Sequence, residues 1–378
     1  MYDNEDVCRR IRENQRKRQK KEKLIRICIV AVILIMLAAV IIAEAFILMG
    51  RKNSNKKNKS IHSKGQIEKQ TSEKETETEE PETEELIFEN VEYPKLSKDY
   101  KEIDSPNVLS PYVALVDIND HSIIAGKSYD ARIFPASMTK VMTLIVAVEN
   151  IENLDETFTM TAEIIDPLVR ESASRAGFEP GEAVTAKDML YGLILPSGAD
   201  ASVGLATMIS GSEENFVNLM NKKCEEIGLK NTHFTNTSGL YNEQHYTTPV
   251  EMAMIMEYAM TNDVCREVLS MYQYTTTATE QHPEGILLSS TMFSRMYGNE
   301  VNTVSIKAGK TGYTTEAGNC LVSYAERGSD KYIAVTSGAA NRWNVVFDDF
   351  EVYGNYIPNA PGYVKDGTVN NSDDVTGE

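Results

Sequence analysis

The spacing of apolar and polar positions changes several times along the chain, and each change marks an element. Ile27–Met49 is a 23-residue apolar run interrupted only by Glu44. A bilayer core needs about 20 such residues, so this run is long enough to span. Tyr112–Ile118 alternates apolar and polar, and Ser122–Ala125 resumes after Asn119-Asp120-His121, the pattern of a hairpin. Thr139–Glu149, Ala186–Ile209, Glu213–Ile227 and Pro249–Met260 carry helical periodicity. Strand patterning returns at Asn319–Ala325 and Lys331–Ser337, joined through Gly328-Ser329-Asp330, and Arg342–Tyr356 is a closing helix. Strands, a long helical block and strands again imply an α+β fold. The expected architecture is an antiparallel sheet flanked by helices, with an all-helical subdomain inserted at about 141–285.

Charge sharpens the division. Residues 1–64 hold 16 basic and 6 acidic side chains, 65–100 hold 4 and 12, and 101–378 hold 18 and 38. An acidic bulk argues against nucleic-acid binding, because phosphates are held by clustered Lys and Arg. The basic excess instead precedes the apolar run, with ten Lys and Arg from Arg9 to Arg26, and the positive-inside rule keeps that end in the cytoplasm. The competing reading is a signal peptide cleaved after Ala45, since Ala43-Glu44-Ala45 has the small-x-small form. Glu73–Glu85 is acidic low complexity with little to bury. The expected organisation is a cytoplasmic basic tail (1–26), a transmembrane signal-anchor (27–49), a disordered charged spacer (50–104), a catalytic domain (105–357) and a flexible tail (358–378). The expected location is the cell membrane, single-pass, with the domain on the extracytoplasmic face. Cys224, Cys265 and Cys320 form no disulfide framework or zinc ligand set by their spacing, and no metal or cofactor is expected.

Three short motifs carry chemistry. In Pro135-Ala-Ser137-Met-Thr-Lys140, a helix beginning near Ser137 would set Lys140 on the same face, three residues on. A serine hydroxyl becomes a nucleophile when a base takes its proton, and a desolvated neutral lysine can be that base. Alone the pattern means little; a second S-x-x-K, Ser54–Lys57, sits in the spacer. Pro196-Ser197-Gly198-Ala199-Asp200 and Lys310-Thr311-Gly312 change that weight, because S-x-x-K, S-D-N-type and K-T-G motifs form one set in β-lactamases and penicillin-binding proteins.

From about Tyr112 to Tyr353 the chain resembles the D-alanyl-D-alanine carboxypeptidases among the low-molecular-weight penicillin-binding proteins. The resemblance is carried by Ala131–Lys140, Gly177–Glu182, Asp188–Leu193, Leu195–Asp200, Phe234–Tyr246 and Ala308–Gly318. It implies a DD-peptidase-like fold, with Ser137 as the acyl-forming nucleophile, Lys140 its base and Ser197 a proton relay to the leaving group. Lys310, Thr311 and Gly312 would line the substrate-carboxylate site, and the N–H groups of Ser137 and Tyr313 would form the oxyanion hole. Implied partners are peptidoglycan stem peptides ending in D-Ala-D-Ala, with β-lactams as covalent inhibitors. One position departs from the pattern: the second motif usually reads Ser-x-Asn, and Ala199 stands in place of the Asn. Asp200 or a water could substitute for that amide; otherwise Ala199→Asn is expected to raise turnover.

Other hydrolase classes fit less well. No G-x-S-x-G or H-E-x-x-H occurs, and His245 reads as a structural residue of the helical block. A β-lactamase would need a further water-activating base, and Glu171 and Glu179 show no matching context. A catalytically idle wall-binding protein is the remaining alternative, favoured by Ala199.

Overall fold

The computed structural model describes residues 88–296, 301 and 303–363. Its frame is a six-stranded sheet in the order β1-β3-β2-β10-β9-β8. The strands are β1 (Lys95–Glu102), β2 (Tyr112–Asp117), β3 (Ser122–Lys127), β8 (Ser305–Thr314), β9 (Gly318–Arg327) and β10 (Asp330–Ala339). Two small two-stranded sheets, β4 (Thr157–Thr159) with β5 (Ala183–Thr185) and β6 (Gln273–Thr275) with β7 (Leu287–Ser289), stand apart from it.

Both faces of the sheet are covered, so β2 buries the unbroken apolar run Val113–Val116 in place of the alternation expected for it. Successive side chains leave a strand on opposite faces. Accordingly Ile333 and Val335 of β10 join one core while Tyr332 and Ala334 join the other, and Val322 and Leu321 of β9 divide the same way. The smaller core is closed by α9 (Asn344–Tyr356). The larger holds α1 (Lys140–Asn150) and α6 (Pro249–Thr261), whose faces are apolar almost all round. A helix with no polar stripe belongs in an interior. Val141–Val148 of α1 is buried throughout, and each large apolar side chain contributes roughly 1.5–3 kcal/mol by leaving water.

Around α1 lie α2 (Ala162–Arg170), α3 (Ala186–Ile194), α4 (Ala199–Ser210), α5 (Glu213–Glu226) and α7 (Asp263–Ser270). A short α8 (Thr291–Met296) leads back to the sheet. Side-chain caps start several of these: Thr185 accepts from Asp188 N–H, Ser212 from Asn215 N–H, Thr248 from Glu251 N–H and Asn262 from Cys265 N–H. Each satisfies an otherwise orphaned donor of a helix first turn.

Four expectations change. The sheet is mixed rather than antiparallel, because β1 pairs with β3 in parallel. β1 also lies within the stretch expected as a disordered spacer to residue 104. Apolar handles order it: Phe88 stacks on Tyr258 at 4.8 Å between ring centroids, and Tyr93 OH donates to Glu251. The single helix expected over Ala186–Ile209 is two, α3 and α4, since Pro196 lacks an N–H and Ser197 takes a positive φ of 65°. The flexible tail expected from 358 begins with packed residues: Pro358 O accepts from Arg327, and Tyr363 packs edge-on against Phe350. The basic tail, the anchor, the spacer to residue 87 and residues 364–378 lie outside the described residues. Among the described residues no helix is long and apolar enough to cross a membrane.

Behind the sheet, α9 carries adjacent carboxyls in different settings. Asp348 accepts from Leu109 N–H, Ser110 N–H and the Ser110 hydroxyl. Asp349 accepts from Ser323 Oγ at 2.6 Å, and its Oδ1 has no hydrogen-bond partner. Burial holds Asp349 well above the usual aspartate range, with Asp348 adding repulsion. A carboxyl raised in the folded state stabilises at low pH, and that contribution is lost as pH rises through the folded-state value. Asp349→Asn should therefore raise Tm relative to the parent at pH 8 and lose the advantage near pH 4. Calorimetry at both pH values checks this; an equal difference at both would remove Asp349 from the pH dependence.

Candidate active site

Ser137 lies in a 3₁₀ turn, Ala136–Thr139, and the α-helix begins only at Lys140. The sequence expectation of a helix starting near Ser137 is thus refined. In a 3₁₀ turn residues i and i+3 eclipse, so the serine–lysine relation survives the change. Lys140 Nζ donates to Ser137 Oγ at 3.2 Å and to Ser238 O at 2.7 Å. The lysine is only 2% exposed. Burial lowers its pKa from the ordinary lysine range to about 7, against the opposing pull of Asp200 and Glu213.

A second serine–lysine pair adjoins the first. Lys310 on β8 donates to Ser197 Oγ at 2.9 Å and to Thr311 O at 2.9 Å. Burial pushes Lys310 well below its usual value, and Lys140 and Arg295 repel its charge further. The backbone brings both pairs into one site, since Gly312, two residues after Lys310, lies against the Ser137 turn. Thr311 Oγ1 lies 2.7 Å from Thr291 Oγ1 at the start of α8. Gly312 faces the nucleophile turn so closely that a Cβ there would lie 3.0 Å from Pro135 O and Ser137 N. Tyr313, next along this edge strand, is 61% exposed.

The turn is held from the other side by the 234–239 loop. Gly239, at φ 86°, admits no side chain, because a Cβ would collide with the Ala136 carbonyl. His245 braces the same region: Thr235 N–H donates to its Nδ1 at 3.0 Å, so Nε2 carries the proton toward Thr139 Oγ1 at 2.7 Å. Burial takes His245 down to about 3, aided by His233 and Lys140, so the ring is neutral and structural.

Sequence reasoning missed several contributors. Arg295 on α8 has a buried Nη1 without a hydrogen-bond partner among the described residues. Burial lowers its pKa, as does the nearby Arg342. Arg295 and Lys310 repel one another, so α8 brings a guanidinium to the Lys310 end of the site. A lone Arg in the apolar stretch Thr291–Met296 was its only sequence signal. Ser238 contributes a backbone carbonyl, which no motif can announce. Among the described residues no group of three or more His, Cys, Asp or Glu side chains could hold a metal ion.

The second motif behaves differently from expectation. Asp200 does not stand in for the missing amide: its carboxylate accepts from Ala176, Gly177, Phe178 and Ala201 N–H groups and is fully buried. Ala199 is 3% exposed and clusters with Ile164, Ile165 and Leu168 of α2. An Asn there would bring an amide into an apolar cluster, costing about 1–3 kcal/mol without a partner. Ala199→Asn should therefore lower Tm and leave turnover no higher than the parent. A rate increase at unchanged Tm would show that the side chain reaches the cleft after all.

With the geometry in place, comparison with known proteins is direct. The profile of the D-alanyl-D-alanine carboxypeptidase family matches residues 100–341. The D-alanyl-D-alanine carboxypeptidase DacF of Bacillus subtilis (strain 168) is 34% identical over 227 residues, covering 60% of this chain and 56% of that protein. DacA of Escherichia coli (strain K12), likewise described as a D-alanyl-D-alanine carboxypeptidase, is 32% identical over 242 residues, or 62% and 57%. The match thus spans just over half the length of these relatives. Among solved structures, the Streptomyces K15 DD-transpeptidase superposes with a TM-score of 0.59 at 28% identity, covering 66% of this chain and 98% of that one. The matched span holds every motif residue described above, and the chain belongs to the D-alanyl-D-alanine carboxypeptidase family.

Proposed function

We propose that this protein is a serine-type D-Ala-D-Ala carboxypeptidase that removes the terminal D-alanine from peptidoglycan stem peptides. The observation that carries the reading is the buried Lys140, hydrogen-bonded to Ser137 and easily deprotonated near neutrality. Ser137 Oγ attacks the penultimate D-Ala carbonyl as its proton passes to neutral Lys140. The N–H groups of Ser137 and Tyr313 receive the developing oxyanion. The C–N bond then breaks, and the departing amine takes the proton that Lys140 received, relayed through Ser197, so Lys140 is neutral again. Water attacks the Ser137 ester as its proton passes to Lys140, and Lys140 returns that proton to the departing Ser137 Oγ as the shortened peptide is released. Lys310, Thr311 and the nearby Arg295 meet the substrate's terminal carboxylate, whose arrival offsets the repulsion among the cations. A second reading, acyl transfer to an amine rather than to water, is favoured by the near-complete match to the K15 enzyme named a DD-transpeptidase. Product analysis with and without an added amine acceptor separates the two.

Intact-mass and peptide spectrometry after incubation with a β-lactam should place one adduct on Ser137. Lys140→Ala and Lys140→Arg should both lose it by two or more orders of magnitude, since neither can accept the proton. The parent acylation rate should climb with pH around a midpoint of about 7, as Lys140 deprotonates. A label on a Ser137→Ala protein would sink the assignment.

The protein is further proposed to sit in the bacterial cell membrane through Ile27–Met49, with the catalytic domain outside. The ten basic residues ahead of the apolar run and its length support this. Protease added to intact spheroplasts should release a fragment beginning between residues 50 and 87. Full protection would reverse the topology, and a native N-terminus at Phe46 would show a cleaved signal.

A further inference from the structure

We infer that Glu213, outside every motif of the site, is a positioning residue for Lys140: it fixes the carbonyl that anchors the lysine and supplies negative charge to it. Glu213 opens α5, directly after its Ser212 cap. Its Oε1 accepts from Thr237 N–H at 2.9 Å and from Thr237 Oγ1 at 2.7 Å. Ser202 Oγ on α4 donates to the same Thr237 hydroxyl at 2.7 Å. Thr237 O in turn accepts from Thr143 Oγ1, one turn beyond Lys140 on α1, at 2.7 Å. Thr237 is therefore held from α1, α4 and α5 at once. The next residue is Ser238, whose carbonyl receives Lys140 Nζ. Glu213 on the Thr237 N–H and hydroxyl, with Thr143 on the Thr237 carbonyl, holds both peptide planes that flank Thr237, directly ahead of the Ser238 carbonyl.

The charge acts as well as the contacts. Burial strips Lys140 of its proton, whereas Asp200 and Glu213 favour keeping it. The other groups facing the lysine are Lys310 on β8 and the neutral His245. α4 brings Asp200 as its sole charged side chain, and the 234–239 loop brings none. Glu149, the other charged residue of α1, is engaged with Lys223. Asp200 answers four backbone N–H groups, which leaves Glu213 as a carboxylate whose removal alters the field at Lys140 while a neutral isostere can keep the loop. The lysine is thereby poised between a proton held too tightly and one lost altogether.

This rests on Lys140 being the base, and the test separates the two claims. The rate constant for β-lactam acylation is followed from pH 5 to 9 in the parent, Glu213→Gln and Glu213→Ala. Glutamine keeps an acceptor oxygen for Thr237 but removes the charge. Its acidic limb should move down by roughly 0.5–1 pH unit, giving about threefold or more faster acylation at pH 6 relative to its own plateau. A merely structural role would not produce faster acylation at low pH. Glu213→Ala, losing contact and charge together, should shift the limb similarly and also lower the plateau about tenfold or more. Thr237→Val, which keeps the charge and loses the hydroxyl contact, should lower the plateau without moving the limb; it decides the contact role even if the Gln variant fails to fold. A Gln profile superimposing on the parent, or a Thr237→Val plateau equal to the parent's, overturns the inference. Absence of any acylation in the parent would instead overturn the proposed function.

Discussion

A lysine nitrogen taken out of water, with a serine hydroxyl and a backbone carbonyl as its hydrogen-bond partners among the described residues, is the constraint around which the site is arranged. Water would keep that nitrogen protonated at neutral pH. Burial disfavours the ammonium form, and the neutral amine can then accept the Ser137 proton. Desolvation on this scale requires rigid packing on all sides, and the apolar α1 beneath Lys140 provides it. It also requires compensation, which two carboxylates on different helices provide at some distance. The second lysine repeats the logic. Lys310 is equally dry and bonded to Ser197, and the charge of each lysine disfavours the charged form of the other.

Both serines sit on strained backbone. Ala136, just before Ser137, has φ 47°, and Ser197 itself has φ 65°, values that L residues adopt at a cost of about 1–3 kcal/mol each. The surroundings keep them there. Gly239 and Gly312 close on the Pro135–Ser137 turn from two sides, and neither position can carry a side chain without moving backbone atoms. The Ser197 turn is held by Asp200, whose carboxylate gathers three N–H groups of the 176–178 segment as well as its neighbour's. Strain at the turns is balanced by packing and hydrogen bonds that belong to other parts of the chain.

The two edges of the sheet carry different residues. β8, which carries Lys310, is one edge strand, and β1 is the other. Phe88 stacks on Tyr258 of α6 ahead of β1, and four strands lie between β1 and β8. An edge strand has unpaired N–H and C=O groups along one side, which suits β8 to receive an extended peptide backbone.

Local patterning determined much of this. The hairpin of β2 and β3, the late strands, and helices α1, α5, α6 and α9 are legible because each buries a continuous face or a whole surface, and burial leaves a period in the sequence. Ser137, Lys140, Ser197 and Lys310 are legible because their chemistry demands particular residue types at short spacing. The structure alone decided the parallel pairing of β1, since a strand with Lys at three of its eight positions carries no apolar period and gains its order from a partner. It alone broke the Ala186–Ile209 helix, placing the strained Ser197 at the break, and directed Asp200 inward to the backbone. Arg295, Ser238 and Glu213 were silent in the sequence for one reason. Each acts on a lysine of another element, and the distance that matters to a charge or a hydrogen bond is set only when the helices and the sheet pack together.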